Sequence, residues 1–568
     1  MFPTAFLVLC FVFQWASTAA LPRRYNDTLV LQKARGLDIP IRTSKVPGGI
    51  ARRGDVSGSI GLGNNADLLY TVPIELGNTV VAVNIDTGSS DLWVVSDTCT
   101  AGTCAGSAVT RYPESSLISA GADVSMFYGD SSTGTHAFGS VGLDTATIAG
   151  VTMTQQSFGL VNDTNNQIVQ FSTAGIFGLG FPSGSKIQEA VTVAKHGAID
   201  QTDDFLRSTY TSGPLLTRIA MTGALEMPMF SITLQRSTID ISGTGLLTIG
   251  KLPDGVDNST LTWVPVRLYD PVDGGLDPPT FAPNEVYPFR WEIDIDAVYF
   301  DGQKLPDSTI QAIDGVDSKR VSALIDTGNS LLRGPEDVVN NILTSVSPSY
   351  NPNQSGAVPT LPCNLPKTIS FQIGGKMFPI DPRDFIGQQN TGDATTCVAD
   401  NLVTTDPPSM GSLFRWSLGA PFLRSNLVAF HYGNLTHPSV DPPRIGIKSN
   451  VPANAAALLK QAVADAVNNG GNFEQTLVVA PTASAAAEPQ ITVSPGSFTS
   501  QSTITTILTS TTPATTPARG GSTTLSLAAP DNTAAPVSNT RNAASSLVPA
   551  FYRDTWFYLV PSFFFLLM

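Results

Sequence analysis

Two stretches of this 568-residue chain follow one plan. "VNIDTGSSDLWVV", Val83 to Val95, and "ALIDTGNSLLRG", Ala323 to Gly334, each run an apolar segment into Asp-Thr-Gly and leave through a small or polar pair into apolar residues. An acid at the end of a buried strand is costly unless donors or a partner meet it. Gly88 and Gly328 let the backbone turn sharply, so its N–H groups can face the carboxylates of Asp86 and Asp326. Thr87 and Thr327 can hydrogen-bond across to the other copy. Copies about 240 residues apart are no solenoid. They predict two similar lobes, each giving one aspartate to a shared cleft. Carboxyls at hydrogen-bonding distance cannot both ionise, so the pair shares one proton. The ionised member can deprotonate a water and the protonated one can polarise a carbonyl, which is the chemistry of peptide hydrolysis without a covalent intermediate.

The surrounding sequence fits that geometry. Runs such as "LYTVPIEL", "VVAVNI", "FSITL", "LLTIG", "ISFQI" and "NLVAFHY" are β-branched and aromatic, with Gly, Pro, Asn and Asp between them. We expect a mainly β, bilobal domain, with an N-terminal lobe at 54–255 and a C-terminal lobe at 256–450.

The flanks read differently. Residues 1–20 are apolar and end in small residues, a secretory signal whose n-region lacks Lys or Arg. Residues 21–53 hold eight basic against two acidic residues, a net +6, which leaves −20 of the chain's −14 for residues 54–568. A basic strip ahead of an acidic body, ending in Arg52-Arg53, reads as a propeptide removed by a dibasic-processing protease. Residues 451–541, rich in Ser, Thr, Pro and Ala, read as a disordered, extended stalk, with Ala453–Val467 as a possible short helix. Residues 542–568 combine small residues at Asn542-Ala543-Ala544, a spacer and a short apolar tail, the pattern of GPI attachment at Asn542. The implied location is the outer face of the plasma membrane or the cell wall.

Four cysteines remain once Cys10 leaves with the signal. Of three pairings, Cys99–Cys104 and Cys363–Cys397 close the shortest loops. Asn26, Asn162, Asn258, Asn353 and Asn434 lie in N-x-[ST] triplets and are candidate glycosylation sites.

These pieces together resemble the pepsin-like aspartic proteases, over Leu68 to Lys448. "IDTGSSDLWV" resembles the first active-site motif, which makes Asp86 catalytic, with Ser89 and Trp93 in support. "CTAGTC" resembles the small disulfide loop that follows. "MFYGDSSTG" resembles the flap hairpin, with Tyr128, Gly129 and Asp130 facing substrate. "AGIFGLGFPS" and "WSLGAPFLRSNLVAFHYGN" resemble the matching segments behind the two active-site loops. "LIDTGNSLLRGP" resembles the second motif, with Asp326 catalytic. The resemblance implies a cleft between lobes, an acidic optimum and no cofactor. Propeptide, stalk and tail are similar to those of the yapsin-type surface proteases of fungi.

Two departures stand out, and one flap residue bears on specificity. Asn329 replaces the Thr or Ser whose hydroxyl bonds the outer side of the second carboxylate, and an Asn side-chain N–H could make the same donation. "LYDPVDGGLDPPTFAPNEVYPF" is an enlarged loop before "RWEIDIDAVYF". Asp130, two residues after Tyr128, resembles the residue with which fungal relatives accept Lys before the cut, so basic residues are expected to be tolerated or preferred.

Other chemistry has little support. "GLGNNA" lacks a preceding strand and a following helix, and the four histidines lack metal-ligand spacing. No metal and no nucleic acid is expected, and the peptidase is expected to be a monomer acting on protein or peptide substrates. The reading from another class is a non-catalytic binding or adhesion module on the same fold.

Overall fold

The computed structural model describes residues 56–65, 67–129, 134–197, 202–310, 321–354, 356–404 and 415–478, with the backbone of short strands at Asp38–Ile39 and Ile491–Val493. The expected signal and GPI segments, most of the basic strip including Asn26 and Arg52-Arg53, and the expected sites Asp130 and Asn542 lie outside the described residues.

Residues of period two build the first lobe. Strand β1 (Leu69–Leu76) buries Tyr70, Val72, Ile74 and Leu76 on one face. It pairs with β2 (Thr79–Asp86), which carries the first aspartate at its last position. β3 (Leu92–Val95) follows, then the long hairpin strands β4 (Ile118–Tyr128), β5 (Thr135–Ile148) and β6 (Val151–Thr164). β7 (Gly175–Gly178) inserts between β2 and β3, parallel to the first and antiparallel to the second. Gly175 and Gly178 permit this, because a Cβ on either would strike the backbone of Trp93 or of Ser90 and Asp91. Helices α1 (Lys186–His196) and α2 (Thr202–Ser212) follow, and a short buried helix at Leu215–Met221 packs after them.

The second lobe repeats that arrangement. β8 (Glu292–Asp294) pairs with β9 (Ser322–Ile325), which ends one residue before Asp326. β11 (Trp416–Leu418) inserts between β9 and β10 (Leu332–Gly334), again parallel to one and antiparallel to the other. The sequence repeat is therefore a structural repeat, and "AGIFGLG" and "WSLGA" occupy equivalent places.

A seven-stranded sheet underlies both lobes. Gly58–Gly61, Leu246–Ile249 and Met229–Thr233 come from the first half; Asn426–His431, Arg444–Ser449 and Thr262–Pro265 come from the second. Its aromatic residues Phe230, Phe430 and Tyr432 pack on Trp291 and Phe181, the latter pair 4.3 Å apart. A buried ionic cluster also crosses between halves. Asp384 accepts from Arg236 at 2.7 and 2.8 Å and from Arg424 at 2.8 Å, which holds its carboxyl well below the usual range. Arg424 donates on to the Asp67 carbonyl at 3.1 Å.

Both disulfides are present, with Cα atoms 5.8 Å apart for Cys99–Cys104 and 4.9 Å for Cys363–Cys397. Asn162, Asn258 and Asn353 are exposed. Asn434 is half-buried, its side-chain oxygen held by the amides of Thr436 and His437.

The expected boundary at residue 450 needs correction. Residues 451–478 belong to the folded body, not to a stalk. Helix α3 (Ala455–Asn468) buries Leu459, Val463 and Ala466 in the main core, and Phe473 follows them in. Leu459 and Val463 recur at i, i+4, an apolar stripe that an alanine-rich composition hides. Leu477–Val478 then pairs with Gly63–Asn65 at the edge of the first-lobe sheet. Leu459→Ala is expected to cost about 2–5 kcal/mol. In denaturant melts, a chain ended at 450 should unfold well before one ended at 478; equal midpoints would restore the earlier boundary.

Candidate active site

The ends of β2 and β9 meet through their threonines. The Thr87 N–H donates to Thr327 Oγ1 at 2.9 Å, and the Thr327 N–H donates to Thr87 Oγ1 at 3.0 Å. Each hydroxyl then donates across, Thr87 to the Ile325 carbonyl at 2.7 Å and Thr327 to the Ile85 carbonyl at 2.9 Å. All four bonds are buried and link residues about 240 apart, so the lobes are fixed to each other beside their aspartates.

Asp86 and Asp326 are thereby brought to hydrogen-bonding contact with each other. The Gly88 N–H donates to Asp86 Oδ1 at 2.8 Å, and the Gly328 N–H donates to Asp326 Oδ1 at 2.9 Å. Neither glycine tolerates a side chain. A Cβ on Gly88 would lie 2.6 Å from Asp326 Oδ1, and one on Gly328 would strike Asp86.

The two acids are not equivalent. Ser89 Oγ donates to Asp86 Oδ2 at 2.5 Å. The matching residue, Asn329, does not donate its side chain to Asp326, contrary to the expectation from sequence. Its Nδ2 goes to Ser417 Oγ at 2.8 Å and its Oδ1 accepts the Leu331 N–H at 3.1 Å, leaving Asp326 only backbone donors. Burial raises both carboxyls, and hydrogen bonds from Ser89 and Gly88 oppose this at Asp86. Asp326 is raised well above the ordinary range, by burial first and then by the Asp86 charge. The side-chain hydrogen bond that Asp86 receives from Ser89, and that Asp326 lacks, favours the shared proton on Asp326.

Tyr128 ends the hairpin strand β4, with its ring 6.4 Å from that of Trp93 and its hydroxyl 3.6 Å from Met126 Sδ. Burial and the charges of Asp91 and Asp86 keep its hydroxyl protonated. Gly129 turns the chain at φ +80°, and the hairpin tip with Asp130 is outside the described residues.

Several participants escaped the sequence reading. Asp91 is buried and accepts from Ser185 Oγ at 2.5 Å and from the Lys186 N–H at 2.7 Å, fastening the first active-site loop to the start of α1. Ser185 followed three residues later by Gln188 is an N-cap signal that could have marked the helix, though not its partner. Trp291 and Tyr432 both donate to the Leu179 carbonyl, at 2.9 and 2.8 Å, directly behind Asp86. No local pattern signals a contact made across 112 or 253 residues. Among the described residues no group of three His, Cys, Asp or Glu is arranged to hold a metal.

Comparison with known proteins gives a consistent picture. A family model described as eukaryotic aspartyl protease matches residues 69–437. The chain is 27% identical to pepsin A of Rhinolophus ferrumequinum over 379 residues, covering 66% of this chain and 81% of that one. It is 27% identical to pepsin A of Sus scrofa over 377 residues, with the same coverage. It is 24% identical to major aspartyl peptidase 1 of Cryptococcus neoformans var. grubii over 379 residues, covering 64% and 67%.

Asp91 makes the fold sensitive to pH. Burial pushes its carboxyl up to about 6, above the roughly 3.9 of an unfolded chain. Its stabilising contribution is complete below the unfolded value and is lost as pH rises through about 6. Asn at this position imitates the protonated acid. Asp91→Asn should therefore shrink the loss of stability between pH 4 and pH 7 by about 2–3 kcal/mol, read from urea melts at both pH values.

Proposed function

The chain belongs to the eukaryotic aspartyl protease family, and we propose that it is an endopeptidase in which Asp86 and Asp326 are the catalytic pair. The observation that carries this is the hydrogen-bonding contact of the two buried carboxyls, which cannot both ionise at that distance. In the ground state Asp86, supported by Ser89 and Gly88, is the anion that draws a proton from a water held between the acids. Asp326, kept protonated by burial and by the Asp86 charge, donates to the scissile carbonyl as the tetrahedral centre forms. The proton gained by Asp86 then passes to the leaving nitrogen as the C–N bond breaks, and Asp326 takes a proton back from the diol as the new carboxyl forms. Tyr128, at the end of the hairpin strand, would close over the substrate and exclude bulk water.

The finer reading is of a secreted, GPI-anchored surface enzyme of the yapsin type. Its support is compositional: the apolar stretch at 1–20, the basic strip ending in Arg52-Arg53, the Ser/Thr-rich stretch beyond 478 and the apolar segment at 555–568. Tolerance of basic residues at the cut is proposed from Asp130 and from the net acidic charge of the body. Peptide-library cleavage by wild type and Asp130→Thr tests it, and identical profiles would count against Asp130.

Cleavage of an acid-denatured protein tests the central proposal. Asp86→Asn and Asp326→Asn should each lower kcat/KM by at least about a thousandfold, without loss of fold. Unchanged activity in either would defeat the mechanism, and an inactive, correctly processed wild type would favour a binding module. A second measurement reads the asymmetry of the pair. Asn329→Thr supplies the hydroxyl donor that Asp326 lacks and stabilises its anion. The alkaline limb of the pH profile should then move down by about half to one unit.

A further inference from the structure

The second half of the enlarged loop from Leu268 to Phe289 is tied down on two sides. On the first-lobe side, Asp203 at the start of α2 accepts the Thr280 N–H at 2.6 Å and the Thr280 hydroxyl at 2.5 Å. Phe205 and Leu206 of the same helix form a small apolar core with Tyr287, joined by Leu276 and Phe281 and separate from the main core. Ser183 Oγ donates to the Pro288 carbonyl. On the other side, the Tyr287 hydroxyl donates to the Thr436 carbonyl at 3.0 Å, and Glu285 accepts from the Ser439 N–H at 2.9 Å and its hydroxyl at 2.5 Å. These two sit in the connection between the second-half strands of the shared sheet.

The loop then runs directly into the strand beside the second aspartate. In the β8–β9 pairing Glu292 lies opposite Leu324, and the Ile325 N–H donates to the Trp291 carbonyl at 3.0 Å. Three residues therefore separate Tyr287, packed against a first-lobe helix, from Trp291, bonded to the strand that delivers Asp326. A segment with its own apolar core and charge-assisted anchors transmits position, where an unpacked surface loop would not.

We infer that residues 268–289 are an interlobe brace that sets the spacing of the two aspartate-bearing strands, with Asp203 as its positioning residue on the first lobe. The inference rests on the peptidase reading for its kinetic consequence, but the brace itself is a property of the fold. Loosening it transfers the whole task of holding the lobes to the threonine contacts and the shared sheet. Long substrates, which span both lobes, then bind less well, while the chemistry of those that do bind is little changed.

Amide hydrogen exchange and peptide kinetics on the intact chain test this in Asp203→Ala and in Thr280→Val, which leaves α2 untouched. We expect exchange at the Thr87 and Thr327 amides to quicken by about tenfold in Asp203→Ala and less in Thr280→Val. KM for an eight-residue substrate should rise by about fivefold with kcat nearly constant. If α2 amides also exchange faster in Asp203→Ala, Thr280→Val alone decides. Faster exchange confined to 268–289 with unchanged kinetics overturns the inference, since the loop is then a passenger. So does a higher KM without change at Thr87 and Thr327, because the loop then acts on substrate directly. Faster exchange at both threonines in a protein without peptidase activity keeps the brace and removes the proposed function.

Discussion

Four hydrogen bonds between Thr87 and Thr327 and their neighbours hold the site together. Each threonine uses its amide and its hydroxyl to reach the opposite lobe, so neither lobe alone can satisfy these buried groups. The arrangement needs two copies of one motif facing each other. It explains why the apolar strand, the threonine and the glycine recur together in the sequence. It also places the glycines where only a hydrogen fits, so that each amide can approach its carboxylate.

The repeat keeps the aspartate, threonine and glycine of each turn and changes its chemistry just after them, at Ser89 and Asn329. Ser89 gives Asp86 a hydroxyl donor, while Asn329 turns to Ser417 and gives Asp326 none from its side chain. Mutual repulsion makes the pair keep one proton without choosing its place, and that difference in donors favours Asp326. The interior elsewhere follows the opposite rule. Asp384 is more fully buried than either member of the pair yet remains ionised, because Arg236 and Arg424 meet it with bidentate and single bonds. Burial alone does not decide protonation here; the charge of the nearest donor does.

Much of this was legible in the sequence where the signal is local. The two Asp-Thr-Gly turns, the β character and the shortest-loop disulfides all rest on residues adjacent in the chain or repeated in it. The role of Asn329 was misread because composition gives an amide's capacity to donate but not its direction, which Ser417 determines from 88 residues away. Asp91, Trp291 and Tyr432 were invisible for the same reason. The helix Ala455–Asn468 was obscured differently: its Ala-rich sequence matches the low-complexity stretch beyond it, and only the burial of Leu459 and Val463 separates the two.

The path of the last folded segment has a mechanical meaning. From a helix packed on the second half, the chain crosses to pair Leu477–Val478 with Gly63–Asn65 at the rim of the first-lobe sheet, and Ile491–Val493 lies parallel to the start of Val151–Thr164 in that same sheet. Tension applied to the polypeptide farther along would reach these edge strands first and spend itself on their ladders. The helix, and behind it the aspartates, would feel the load only after both had torn.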